Sequence, residues 1–376
     1  MDFKEKALDL HKKNKGKFEV RSKIEIKNKE DLALAYSPGV AEPCKKIAED
    51  KKNSYEYTSR GNLIAIVTDG SAVLGMGNIG AEAAMPVMEG KAILFKQFAN
   101  VNAIPICLGT QDVEEIIKTI KFLEPSFGGI NLEDISAPRC FEIEERLKKE
   151  LEIPVFHDDQ HGTAIAVLAG LINALKIVDK KISEIKIVVS GAGAAGMAIT
   201  KLLLSYGAKK IIVCDSKGVI NKKRELEGVK KEIAEIVDTE EDTLQEAIKN
   251  ADVFIGVSRE NVLEGKDVAN MNSNAIVFAL SNPNPEIMPE IAKKNGAKII
   301  TTGRSDYPNQ INNVLVFPGI FRGILDYKIK NIDDKFKIKV AEAISNSVEN
   351  LNEENIVPDV FDKKVVENIV EAIKNF

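Results

Sequence analysis

The stretch Ile185-Lys186-Ile187-Val188-Val189-Ser190-Gly191-Ala192-Gly193-Ala194-Ala195-Gly196 decides the fold. An apolar, β-branched run ends in G-x-G-x-x-G, and a small-residue apolar segment continues to Tyr206. Strand, glycine turn and helix in that order are the context in which the motif has physical meaning. Gly191 permits the tight turn, Gly193 lets the backbone approach a pyrophosphate, and Gly196 lets the helix pack closely on the strand. The helix N-terminus offers free N–H groups and the positive end of its dipole to phosphate, with Ala192, Ala194 and Ala195 completing the loop. Ile211 to Cys214 reads as the next strand and ends in Asp215, 19 residues beyond Gly196, where a carboxylate binds ribose hydroxyls. A tight strand-to-helix turn without a ligand is the plain alternative. Strand, helix and acid in register favour a dinucleotide site. Asp215 favours NAD slightly, because it would repel a 2′-phosphate. Ser216-Lys217, with Lys222, Lys223 and Arg224 close behind, leaves NADP open unless those lysines are only a solvated loop.

Downstream the alternation continues. Leu244 to Lys249 reads as helix, and Val253 to Val257, Ile276 to Leu280, Ile299-Ile300 and Val314 to Phe317 as strands. Alternating β and α segments imply a doubly wound parallel sheet. The last 50 residues read as two or three helices, Asp359 to Asn375 being the clearest. Upstream, Leu63 to Thr68, Ala103 to Leu108 and Phe127 to Leu132 read as strands, and Met85 to Phe95 as helix. Asp112 to Leu123 spaces Val113, Ile116, Ile117 and Ile120 along one helical face. The chain is thus expected to be α/β in three parts. These are an N-terminal α/β domain over 1–160, a Rossmann dinucleotide-binding domain over 161–325, and a C-terminal helical tail over 326–376. A length of 376 residues suits two domains and a tail.

Two acidic pairs stand at strand ends. Glu133-Asp134 follows Phe127 to Leu132, and Asp158-Asp159 follows Pro154-Val155-Phe156. Adjacent carboxylates tolerate one another best around a cation or in solvent, and hard oxygen ligands suit Mg²⁺ or Mn²⁺. Glu133-Asp134 alone would be a turn or helix cap; both pairs together favour a metal. His157 and His161 raise a competing zinc reading of the H-x-x-x-H type. Pro154 upstream and Gly162 downstream argue against continuous helix there, and His11 makes a poor third ligand, so the histidines are more simply supporting or helix-start residues. Lys91, near the head of an apolar helix, and Tyr36, in a Ser-Pro-Gly turn, are unremarkable by composition, although burial can lower a lysine's pKa enough to make it a base.

With 52 Lys and Arg against 57 Asp and Glu, the net charge is −5, which provides no basic footprint for nucleic acid. Four scattered cysteines without C-x-x-C argue against a disulfide framework and fit a reducing, cytoplasmic setting. The opening MDFKEKALDL has no apolar core of a signal peptide, and uncharged runs such as Val268 to Pro285 are broken by Asn and Pro, so no membrane span is expected.

Taken together, Tyr36-Ser37-Pro38-Gly39-Val40-Ala41, Thr68-Asp69-Gly70, Glu89-Gly90-Lys91, Glu133-Asp134, His157-Asp158-Asp159-Gln160-His161-Gly162-Thr163, Gly191 to Gly196, Ser281-Asn282-Pro283, and Asn312-Asn313 through Phe317-Pro318-Gly319 resemble malic enzyme, in its short prokaryotic form. The resemblance implies oxidative decarboxylation of (S)-malate to pyruvate and CO₂, with reduction of NAD(P)⁺. It implies that Glu133, Asp134 and Asp159 bind Mg²⁺ or Mn²⁺, and that Lys91, partnered by Asp158, takes the proton of the C2 hydroxyl. Tyr36 would protonate C3, and Asn282 and Asn313 would hold substrate and nicotinamide. It also implies a homodimer or higher homo-oligomer, with Tyr36 supplied to the neighbouring subunit's site in some short members. A malolactic-type relative, or another metal-assisted 2-hydroxy-acid dehydrogenase, is the alternative. Larger members carry an arginine two residues after the T-D-G glycine. Ala72 stands there, so either another group grips a substrate carboxylate or malate binds more weakly.

Overall fold

Leu63–Thr68 forms strand β1, buried at every residue but its first, as a nearly continuous apolar run demands of a strand covered on both faces. Strands β2 (Asn102–Cys107) and β3 (Gly129–Leu132) flank it, and β4 (Val155–His157) pairs with β3. All pairings are parallel, in the order β2-β1-β3-β4. These features come from a computed structural model that describes residues 2–237 and 239–376; Met1 and Asp238 lie outside the described residues.

The second sheet holds β5 (Lys186–Ser190), β6 (Lys210–Asp215), β7 (Gly218–Val219), β8 (Val253–Gly256), β9 (Ala275–Ala279) and β10 (Ala297–Thr302). Its order is β10-β9-β8-β5-β6-β7, parallel except for the β6–β7 hairpin. Strand order reverses between β5 and β8, and a doubly wound sheet binds its ligand at the carboxyl ends of the strands beside such a point. The Gly191–Gly196 turn lies there.

A 21-residue helix, Asp158–Val178, joins the two sheets. It is long and apolar enough to cross a membrane, yet it lies buried in the core. This corrects the expectation of a break before Gly162. Helix begins at Asp158, and Gly162 is inside it for a packing reason: a Cβ there would come 2.0 Å from Asp158 Oδ1. The Met85–Phe95 expectation likewise extends to Ala81–Ala99, which places Lys91 mid-helix rather than near a helix head.

Val314 to Phe317 is not a strand. Asn313–Leu315 is a 3-10 turn, and Phe317–Tyr327 is a helix with Pro318 in its first turn, a start signal that the apolar run obscured. Its aromatic face crosses back to the first sheet's helix, with Phe95 ring centroids 4.6 Å from Phe317 and 5.2 Å from Phe321. The tail forms helices Asp334–Asn346 and Lys364–Ile373. Asn173, inside the long helix, donates to the carbonyls of Ser345 at 2.8 Å and Ile356 at 2.9 Å, anchoring that tail. At the other end, helices Phe3–Asn14, Lys29–Ala35 and Ala41–Glu49 contain no buried residue.

Candidate active site

Register assembles the acidic centre. Leu132 of β3 pairs with His157 of β4, so the next residues of each strand, Glu133-Asp134 and Asp158-Asp159, emerge side by side. Oxygens of Glu133, Asp134 and Asp159 lie within 4.8 Å of one another. Asp158 and Asp159 occupy the first turn of the long helix, where its dipole favours negative charge. Asp134 adopts a left-handed φ of +53°, and its N–H donates to Asp159 Oδ2 at 2.7 Å. Asn131, not anticipated from sequence, donates to Glu133 Oε2 at 2.8 Å.

Lys91 enters from the Ala81–Ala99 helix. Its ammonium lies 2.5 Å from Asp158 Oδ2, 2.8 Å from Glu133 Oε1 and 4.1 Å from the centroid of the Phe317 ring. Asn313 Nδ2 also donates to Asp158 Oδ2. Burial opposes charge on Lys91, but Asp158 and Glu133 outweigh it and hold its pKa above the ordinary lysine value. Four carboxylates thus face one ammonium. Burial, with neighbouring carboxylates, pushes Glu133 well above its usual range and Asp134 up to about 7. Burial would raise Asp159 too, yet the adjacent His157 keeps it low. Buried oxygens Asp134 Oδ2 and Asp158 Oδ1 have no hydrogen-bond partner among the described residues. An excess of buried, incompletely paired oxygen ligands suits a hard divalent cation.

The histidines do not share a ligand. His157 Nε2 lies 3.2 Å from Asp159 Oδ2, and His161 Nε2 lies 2.8 Å from Glu144 Oε2. Burial pushes His161 down to about 4, so it is neutral at physiological pH. Glu144 sits in a highly charged helix, Arg139–Glu150, and nothing in its sequence context marks it as buried.

The glycine turn fits a dinucleotide. Gly191 has φ +118°, which side chains rarely adopt, and a Cβ on Gly196 would meet Gly191 O at 1.8 Å. A Cβ on Gly193 would meet nothing within 4 Å, so the loop is open where a pyrophosphate approaches. Asp215 is less free than expected. Arg224 holds it with two hydrogen bonds, at 3.0 and 2.9 Å, and Lys230 adds a third at 2.9 Å. Burial would raise the Asp215 pKa, but these cations hold it far below the usual carboxylate range. Asn282 borders the crevice: its carbonyl oxygen lies 2.8 Å from the Cβ position of Gly75 in the glycine-rich loop after β1. Glu286, another unanticipated residue, accepts the N–H groups of Ser258 (2.8 Å) and Ser281 (3.0 Å), tying together the loops after β8 and β9.

Two expected features make no side-chain hydrogen bond to this centre among the described residues. Tyr36 is 69 % exposed at the end of the Lys29–Ala35 helix, and its hydroxyl makes no hydrogen bond among the described residues. Ala72 contributes only its N–H, to Asp134 O at 3.0 Å. The nearby Arg139 is engaged by Asp69, Nη2 to Oδ2 at 3.0 Å.

Fold and site together define a dinucleotide-binding α/β protein with a buried lysine–carboxylate centre at the carboxyl ends of β3 and β4 in the other sheet. The family description "Malic enzyme, N-terminal domain" matches residues 13–148, and "Malic enzyme, NAD binding domain" matches residues 160–374. A "Bifunctional malic/malolactic enzyme" of Bacillus subtilis is 56 % identical over 99 % of this chain and 92 % of its own length. An "NAD-dependent malic enzyme" of Geobacillus stearothermophilus is 55 % identical over 95 % of this chain and 76 % of its own. The crystal structure of an NAD-dependent malic enzyme from Thermotoga maritima superposes with a TM-score of 0.95 at 49 % identity, covering 98 % of this chain and 99 % of that one. Relatives described as NADP-dependent malic enzymes match as well. The chain belongs to the malic enzyme family.

Proposed function

We propose that this chain catalyses the oxidative decarboxylation of (S)-malate to pyruvate and CO₂ with reduction of NAD(P)⁺, using Mg²⁺ or Mn²⁺ held by Glu133, Asp134 and Asp159. The observation that carries this reading is the buried Lys91 ammonium, shared between Glu133 and Asp158 beside the carboxylate triad. The reaction needs one base, one acid, a Lewis acid and a hydride acceptor. When bound, the divalent cation withdraws electrons from the C2 oxygen and the dinucleotide accepts the C2 hydride.

The chain's own groups do the rest. Lys91 Nζ receives the C2 hydroxyl proton. Glu133 and Asp158 favour the ammonium form of Lys91, so Nζ would act as a base after releasing that proton to solvent, once a bound cation had drawn off the charge of Glu133. Asp158 keeps Nζ in place, and Asn313 fixes Asp158. Asn313 and Asn282 are the groups assigned to substrate and nicotinamide. Tyr36 supplies the proton to C3 of the enolate left when CO₂ departs.

Tyr36 is assigned to the site of a neighbouring subunit in a homodimer or higher homo-oligomer. Its exposure, and that of Phe3, Val20 and Leu34 along an N-terminal segment whose helices bury nothing, supports this. NAD remains slightly favoured, but Arg224 and Lys230 offset the charge of Asp215, so NADP is accepted too. The chain divides into a malic-type domain over 1–160, a dinucleotide domain over 161–325 and a tail over 326–376. Four unbridged cysteines fit a cytoplasmic setting. Product analysis tests the reading: malate should yield pyruvate with an equal amount of reduced cofactor. Lactate without released reduced cofactor would instead establish the malolactic alternative.

A further inference from the structure

Behind the carboxylate triad lies a buried polar chain that the reaction does not itself use. Glu144, 5 % exposed, accepts three hydrogen bonds and pairs with one ammonium. Its Oε1 takes the His157 N–H at 3.1 Å and Lys148 Nζ at 2.7 Å; its Oε2 takes Gln160 Nε2 at 3.1 Å and His161 Nε2 at 2.8 Å. Because Glu144 is an acceptor only, the Gln160 amide must turn its NH₂ towards it. The same Nε2 lies 2.9 Å from His157 Nδ1, so a second Gln160 N–H faces that ring nitrogen. Across the same ring, Nε2 lies 3.2 Å from Asp159 Oδ2, at ion-pair distance. A carboxylate thus orients an amide, the amide holds the imidazole, and the imidazole lies against the Asp159 carboxylate.

We propose that Glu144 is a positioning residue for Asp159, acting through Gln160 and His157 to aim that carboxylate and set its donor strength towards the divalent cation. The inference rests on the assignment of Asp159 as a metal ligand. Glu144 touches neither substrate nor cation; its effect is transmitted across two intervening side chains, each buried. The Lys148 ion pair and the His161 hydrogen bond complete its pairing.

The test is direct Mn²⁺ binding to the full-length enzyme, read by electron paramagnetic resonance of free Mn²⁺, with the dinucleotide Kd as a control. Glu144→Gln should weaken Mn²⁺ by about ten- to a hundred-fold, leaving the dinucleotide Kd unchanged. Glu144→Gln combined with His157→Gln should bind Mn²⁺ no more weakly than His157→Gln alone, since both act through one path. If Glu144→Gln does not fold, Gln160→Leu breaks the same path and carries the same expectation. Unchanged Mn²⁺ affinity, or simple additivity with His157→Gln, overturns the proposal. Asp159→Asn separates the two levels. Loss of Mn²⁺ in that variant with no effect of Glu144→Gln refutes the positioning role and keeps the ligand assignment. Wild-type Mn²⁺ binding by Asp159→Asn refutes both.

Discussion

Lys91 Nζ lies 2.5 Å from Asp158 Oδ2, and that contact joins a helix of the first sheet to the first turn of the helix linking the two sheets. The lysine proposed as the base is therefore held by the same turn that carries a carboxylate proposed as a metal ligand. Lys91→Ala should lower kcat by about 10²- to 10⁴-fold, the range for loss of a general base, while the dinucleotide Kd stays within about twofold. Turnover near wild type in steady-state assays would remove Lys91 from the reaction.

Tyr36 is exposed, whereas Lys91 is buried. Tyr36→Phe and Asp159→Ala should each be inactive. If sites are completed across a dimer, random pairing makes half the dimers mixed, with one intact site each, so mixing and reassociation should restore about a quarter of wild-type activity. No recovery, with mixed dimers demonstrated by mass, would place tyrosine and metal on one chain.

Arg224 and Lys230 both hold Asp215, and together they leave a net positive charge beside the carboxylate assigned to the ribose. Replacing both by Ala should cut kcat/KM for NADP about tenfold more than for NAD, the loss expected when a phosphate forfeits a charge-assisted hydrogen bond. Equal losses with both cofactors would show that these cations serve only to hold the loop.

Much of this was legible in sequence because strand-to-helix glycine turns and acid pairs at strand ends leave local signatures. Gly191 to Gly196, Asp215, Glu133-Asp134 and Asp158-Asp159 all lie where local reading puts them. What was not legible depends on distant contacts. Gly162 looked like a helix stop, yet it is inside a helix because the Asp158 side chain fills the space of its Cβ. Val314 to Phe317 looked like a strand, because an apolar run does not reveal its period, while Pro318 marked a helix start. Glu144 and Glu286 resemble surface acids in sequence, and only packing shows that they are buried among donors.

Asp252 precedes β8 and accepts from Lys180 Nζ (2.8 Å), Lys186 N–H (2.8 Å) and Asn272 Nδ2 (3.1 Å). Burial would raise its pKa, but these donors hold it below the ordinary 3.8. A carboxylate depressed in the fold stabilises above its unfolded pKa and loses that contribution as pH falls through the folded value. Asp252→Asn should therefore cost about 1–2 kcal/mol at pH 7. In urea unfolding, the gap to wild type should close as pH falls below about 4. A gap independent of pH would contradict the ionic account of this contact.

The central claim is that the buried lysine–carboxylate centre performs metal-dependent oxidative decarboxylation of malate. The most direct measurement is malate-dependent NAD(P)⁺ reduction with pyruvate quantified in parallel, in EDTA and after restoring Mn²⁺, for wild type and Asp159→Asn. The account predicts no turnover in EDTA, recovery of the wild type with equal pyruvate and reduced cofactor on adding Mn²⁺, and no recovery of Asp159→Asn. Malate oxidation that persists in EDTA, or that Asp159→Asn carries out as well as wild type, would contradict it.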